Sequence, residues 1–166
     1  MTTYIDKNDL PIGWGYIVDA LNDDIQRMVD KGKVKSFEAF EVKEKYGDMR
    51  IYYDAETDNA NTDQELSDMI ECYSAISADT CIYCGTFPVF TIEAGWVSPV
   101  CENCYVDQRY CMKPYDQVKK SAPNHETYIT MRRYSSDYGA IDRKLDLRPY
   151  IKRIAERRAK HAVQSR

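Results

Sequence analysis

Apolar residues recur at helical spacing near the start of the chain. Trp14, Ile17, Val18, Leu21, Ile25, Met28 and Val29 share one face, with Asp19, Asp23, Asp24 and Arg27 between them. That period predicts an amphipathic helix of about 18 residues. Gly32, after Lys31, supplies a C-terminal stop, while Gly13 and Gly15 weaken the first turn. Over residues 36–54 the period changes to two. Phe40 and Val42 alternate with Glu41 and Lys43, then Met49, Ile51 and Tyr53 alternate with Arg50 and Tyr52, with Tyr46-Gly47-Asp48 as the turn. A β-hairpin is expected there. After an acidic stretch over 54–61, Thr62 and Glu65 match a capping box that opens a second helix carrying Leu66, Met69, Ile70, Tyr73 and Ile76 and ending near Ser77. Phe87 to Ile92 and Trp96 to Val100 read as two short strands, and CENCYVDQRYCM, from Cys101, has helical character. Residues 113–143 are polar, with Pro114, Pro123 and Gly139 and little periodicity, which predicts chain that wraps the surface or is partly ordered. Asp146 to Val163 predicts a closing basic helix with a narrow stripe of Leu147, Ile151, Ile154 and Ala155, Pro149 being tolerated in its first turn.

The cysteines carry the strongest chemical signal. Cys81, Cys84, Cys101 and Cys104 form two C-x2-C pairs separated by 16 residues. Each pair points two sulfurs at one metal from a tight knuckle, and the stretch between them accommodates one hairpin. Four thiolates with no histidine or carboxylate leave no open coordination position, so the ion expected is a structural Zn2+. A knuckle, a hairpin and a second pair opening a helix describe a treble-clef finger, with a zinc ribbon as the alternative. The expected fold class is therefore α+β: N-terminal helix, β-hairpin, second helix, treble-clef-like four-cysteine zinc module and basic C-terminal helix. It divides into a helix–hairpin–helix domain over 1–80, the zinc module over 81–112, and a polar segment with the basic helix over 113–166. Cys72 and Cys111 are left over and read as buried free thiols.

Charge sharpens the picture. Residues 1–80 hold 18 acidic and 8 basic side chains, a balance of −10, whereas residues 81–166 hold 9 and 15, a balance of +6. From Arg143 to Arg166 nine Lys or Arg stand against Asp146 and Glu156. Arg132 and Arg133, with Lys152, Arg153, Arg157 and Arg158, are the candidate contact residues for a partner or for nucleic acid, since arginine interleaved with aromatics engages phosphates and stacks on bases. The same residues suit a helix docked on the acidic N-terminal half. Fourteen Tyr against four Phe and two Trp point to half-buried rings or a contact surface.

Other chemistry finds little support. His125 and His161 are the two histidines, and neither lies between the cysteine pairs. A treble-clef nuclease would need one there, so no catalytic residue is assigned. Asp54, Glu56, Asp58 and Glu65 match positions 1, 3, 5 and 12 of a calcium loop, but Asn59 stands where the turn glycine belongs. Phosphate loops, nucleophile elbows and dinucleotide fingerprints are missing. No apolar run approaches the roughly 20 residues that span a bilayer, and the opening residues lack the apolar core of a signal peptide. The cysteines are accordingly read in a reducing cytoplasm.

The order LPIGW, VKEKYGDMRIYY, CIYCG and GWVSPVCENC resembles a group of small bacteriophage and prophage zinc-module proteins. The resemblance covers residues 10–105. It implies a phage accessory protein in the bacterial host cytoplasm, with Lys43, Lys45, Tyr46, Gly47, Arg50 and Tyr52 standing in the hairpin motif. It implies no particular activity. Binding to a host protein is the function expected, with nucleic-acid binding through the basic helix as the alternative.

Overall fold

The computed structural model describes residues 2–93, 96–107, 113–123, 127–135 and 139–164, with 107, 131–135 and 139–141 described as backbone. A 3-10 turn, Ile12–Trp14, leads into helix α1, Gly15–Asp30. Ile17, Val18, Leu21, Ile25 and Met28 are its buried stripe, at the spacing the sequence predicts. Gly32 ends the helix at φ 70°, where its N–H donates to Val29 O at 2.9 Å and the Lys33 N–H donates to Met28 O at 3.0 Å. This is the paired bonding of a Schellman cap.

Strands β1, Val34–Lys45, and β2, Asp48–Thr57, form an antiparallel hairpin that extends beyond the expected 36–54 at both ends. Tyr46 and Gly47 both take positive φ, 54° and 85°, as a two-residue hairpin turn requires. A bulge between Ala39 and Glu41 leaves Phe40 outside the paired register. The inner face carries Phe37, Val42, Met49, Ile51 and Tyr53 onto the core.

Helix α2, Ala60–Ala78, starts one turn before the capping-box residues. Its cap is Asn59, whose Oδ1 accepts from the Asn61 and Thr62 amides at 3.0 and 3.1 Å. Thr62 is buried within the first turn, and Glu65 instead pairs with Lys33 at 2.6 Å. The acids of the calcium pattern are split: Asp54 and Glu56 belong to β2, paired in regular register. The Met49 N–H donates to Ser77 Oγ at 2.8 Å and the Ser74 hydroxyl donates to the Met49 carbonyl, which staples β2 to α2.

Beyond the first cysteine pair lie β3, Thr91–Glu93, and β4, Val97–Pro99, shorter than the strands the sequence predicts, then helix α3, Glu102–Asp107. Residues 113–143 are not irregular throughout. Strand β5, Lys119–Ser121, pairs with β3 and completes a sheet of order β4-β3-β5. Strands β6, Tyr128–Ser135, and β7, Gly139–Asp146, pair residue for residue as a second hairpin. Among its described side chains Ile129 and Leu145, opposite one another, join the core. The chain closes with α4, Arg148–Gln164, whose first amide donates to Asp146 Oδ1 at 3.0 Å.

The architecture is mixed α+β. One core joins Ile5, Trp14, α1, the β1–β2 hairpin, α2, Ile129, Leu147 and the start of α4, while a smaller one surrounds the cysteines. Among the described residues no helix is long and apolar enough to cross a membrane.

Candidate metal centre

Helix α2 runs almost directly into the first knuckle. Cys81 N–H donates to Thr86 O at 2.9 Å and Gly85 N–H donates to Cys81 O at 3.0 Å, closing a tight loop. Gly85 sits at φ 73°, a backbone geometry that side-chain-bearing residues rarely adopt. Strand β4 delivers Cys101, and α3 carries Cys104 in its first turn. The four sulfurs lie within 4.8 Å of one another, close enough for one ion to bind all four. Cys84 Sγ and Cys101 Sγ stand 3.6 Å apart. Backbone amides point at sulfur as well: Cys101 N–H at Cys81 Sγ and Cys104 N–H at Cys101 Sγ, each at 3.4 Å. Cys81 is fully buried over Val89, Ile92, Val100 and Tyr105, whereas Cys84 faces solvent.

The thiols are electrostatically unequal. Burial pushes Cys84 up, but hydrogen bonds from the Thr86 side chain and backbone outweigh it and bring the thiol down to about 6. Burial drives Cys101 and Cys104 upward. Cys84 is thus the readiest thiolate, while Cys101 and Cys104 give up their protons less easily to bind a cation. Away from the cluster, burial and then nearby Asp68 push the Cys72 thiol up to about 12, which suits an inert core residue. Cys111 and His125 lie outside the described residues.

Two glycines lock the finger onto the rest of the chain. Gly13 N–H donates to Ile82 O at 2.8 Å, and a Cβ at Gly13 would fall 2.1 Å from Cys81 O. A Cβ at Gly85 would in turn meet Gly13 O at 2.6 Å. Next to this contact, the fully buried Trp14 donates its indole N–H to Thr80 O at 3.0 Å. At the hairpin turn, a Cβ on Gly47 would stand 3.2 Å from Pro99 Cδ and 3.3 Å from Val97 O, so the turn rests on β4. The LPIGW, hairpin and cysteine motifs therefore meet in space. Sequence reasoning treated Gly13 as a weak helix start and missed this contact, since a glycine needed for close approach reads the same as a glycine that loosens a helix.

The arginines of α4 turn inward. Arg157 forks onto Asp23, with both bonds at 2.6 Å, and Arg153 reaches Asp24 at 2.8 Å. Asp24 is 4% exposed and also accepts from Tyr73 Oη at 2.7 Å and pairs with Arg27. Arg158 donates to Gly85 O at 3.0 Å and to Cys84 O at 2.9 Å, both on the knuckle. On β7, Arg143 pairs with Asp68 of α2. Lys152 is exposed. Arg132 and Arg133 lie on β6, opposite Asp142 and Ile141, within the span described as backbone.

The hairpin motif residues gather at the other end of the finger. Lys43 pairs with Glu41 at 2.7 Å and lies 5.3 Å over the Tyr52 ring, Lys45 lies 5.6 Å over Tyr46, and Arg50 pairs with Asp48 at 2.8 Å. Tyr46 is 76% exposed and Trp96 67% exposed, and the two share a cleft of about 700 Å3 with Glu44, Lys45, Glu93 and Val97. A second cleft, of about 650 Å3, opens beside Cys84, where His161 packs its ring edge on Tyr16 at 5.8 Å.

No protein-family model matches the chain, and neither a curated protein nor a solved structure does.

Proposed function

We propose that this chain is a zinc-stabilised accessory protein that docks on another protein. In line with its likeness to bacteriophage proteins, the partner is a host protein in the bacterial cytoplasm, and inhibition of a defence or housekeeping complex is the consequence. Zinc is supported by the donor set: with Zn–S bonds of about 2.3 Å, sulfurs at the corners of a tetrahedron stand about 3.8 Å apart, close to the 3.6 Å between Cys84 and Cys101. When bound, the ion cross-links two segments of chain and has no open position for substrate. The order of knuckle, β3–β4 hairpin and helix-borne Cys104 favours a treble clef over a zinc ribbon.

The observation that carries docking is the pair of exposed aromatic rings, Tyr46 and Trp96, lining one cleft where the hairpin meets the finger. Large rings are the side chains that anchor protein interfaces. Of the arginines that would serve nucleic acid, Arg153, Arg157 and Arg158 are engaged with Asp24, Asp23 and the knuckle carbonyls instead. A tagged pull-down from bacterial lysate, with and without nuclease, tests the reading against a variant carrying Tyr46→Ala and Trp96→Ala. One host protein should survive nuclease and be lost from the variant, whose melting temperature and zinc content stay at wild-type values. Recovery of nuclease-sensitive material alone would move the assignment to nucleic acid, and equal capture by the variant would remove the cleft from the interface.

A further inference from the structure

Helix α4 ends on the metal centre. The Arg158 guanidinium spans the carbonyls of Cys84 and Gly85, one bond from each terminal nitrogen, at 2.9 and 3.0 Å. It lies 6.0 Å over the Tyr16 ring. From Ala159 to Gln164 every side chain is exposed, so Arg158 and the His161–Tyr16 ring contact hold the last turns. The earlier turns are secured independently by Arg153, Arg157, Ile151 and Ile154 on the main body.

The acceptors that Arg158 uses belong to neither a helix nor a strand. Residues 81–86 are held by the Gly85 N–H to Cys81 O and Cys81 N–H to Thr86 O bonds, by the Ile82 N–H to Pro99 O bond at 3.0 Å and by their contacts with Gly13, none of which reaches the Cys84 carbonyl. A metal bound to Cys81 and Cys84 pins both ends of this turn to Cys101 and Cys104. We infer that metal occupancy and the docking of α4's last turns are thermodynamically coupled: the metallated knuckle presents the two carbonyls that clasp Arg158, and the metal-free knuckle releases the helix end. The inference rests on the reading of the cysteines as a metal site. Coupling of this kind is reciprocal, so a docked Arg158 also tightens the hold on the ion. The cleft beside Cys84 inherits the dependence. Tyr83 and Cys84 on the knuckle and His161 on the released turns form one wall of it, facing Lys7, Tyr16 and Asp19, so that wall loosens when metal is lost.

The test uses the full chain loaded with Zn2+. Hydrogen exchange over residues 155–161 is compared before and after chelation, with α1 as the internal reference. Zinc transfer to a chromophoric chelator is then timed for wild type, Arg158→Ala and Lys152→Ala. Metal removal should speed exchange in 155–161 well beyond any change in α1. Arg158→Ala should release zinc on the order of tenfold faster, with Lys152→Ala at the wild-type rate. Exchange in α4 that ignores the metal, or Arg158→Ala releasing at the wild-type rate, overturns the coupling. Should chelation unfold the whole chain, the release rates of the folded, zinc-loaded variants decide. A chain that binds no zinc at all refutes the metal reading itself, an outcome separate from one equivalent of zinc with an indifferent α4.

Discussion

A methyl group on Gly13 has nowhere to go. It would meet the Cys81 carbonyl at 2.1 Å and the Ile82 backbone at 2.7 Å, and backbone cannot swing aside as a side-chain tip can. Two residues on, a Cβ at Gly15 would touch the Lys7 side chain at 4.0 Å and nothing closer. Gly13→Ala should therefore destabilise the protein by about 3 kcal/mol, the upper end of overpacking effects. Gly15→Ala, at the first residue of α1, should be neutral or stabilise by up to about 1 kcal/mol through helix propensity. Denaturant midpoints measure both. Equal midpoints for the two variants would mean that the finger is not seated on Gly13. The same reasoning separates the five described cysteines. Cys81 is buried yet has Cys84, Cys101 and Cys104 around its sulfur, while Cys72 is buried on α2, outside that group, with its thiol held protonated.

Elements were legible in the sequence where burial imposed a period. The stripe on α1, the alternation on β2 and the cysteine spacing survive in the structure, whereas the bulge after Ala39 breaks the alternation expected on β1 and leaves Phe40 65% exposed. The β6–β7 hairpin was not legible, since Met131, Tyr134 and Ile141 do not alternate cleanly with its many polar residues, and among its described side chains Ile129 and Leu145 are the ones that join the core. The α2 start shifted because Asn59, in extended conformation, could cap a helix one turn longer than the box at Thr62 and Glu65 allowed. For α4 the sequence offered two readings of one basic face, and only the partners distinguish them. Arg153 donates to a carboxylate that is 4% exposed, whereas Arg157 meets the more accessible Asp23. Arg153→Ala should then cost about 2 kcal/mol, below the full penalty for breaking a buried pair because Tyr73 and Arg27 still satisfy Asp24. Arg157→Ala should cost about 1 kcal/mol and less in high salt, and the exposed Lys152→Ala within about 0.5 kcal/mol. Thermal melts at low and high salt check the ranking. Lys152→Ala falling as far as Arg153→Ala would deny α4 its docked orientation.

At the scale of the molecule, part of the charge asymmetry is settled inside the chain. Basic residues of the C-terminal half lie on acidic residues of α1 and α2, through Arg153–Asp24, Arg157–Asp23 and Arg143–Asp68. What remains distinct is the way each core is held. The main core has Trp14, Leu21, Ile25, Leu66, Tyr73 and many neighbours fully buried without help from a cysteine ligand. The finger buries Cys81, Val89, Ile92, Val100, Tyr105 and Val118, too few apolar groups to offset the ordering of its backbone. On the proposed reading, a metal held by the four sulfurs supplies the difference, since structural zinc sites contribute on the order of 10 kcal/mol. Cys101→Ser removes one of four thiolates and with it the cross-link between the two pairs. The variant should lose its zinc and its amide protection over residues 81–105, while α1 and α2 stay protected and the far-ultraviolet helical signal largely persists. Acid should do the same to the wild type, as protons return to the sulfurs in competition with the metal. A Cys101→Ser protein that keeps wild-type zinc content and thermal stability would show that the four sulfurs gather without serving as a structural site.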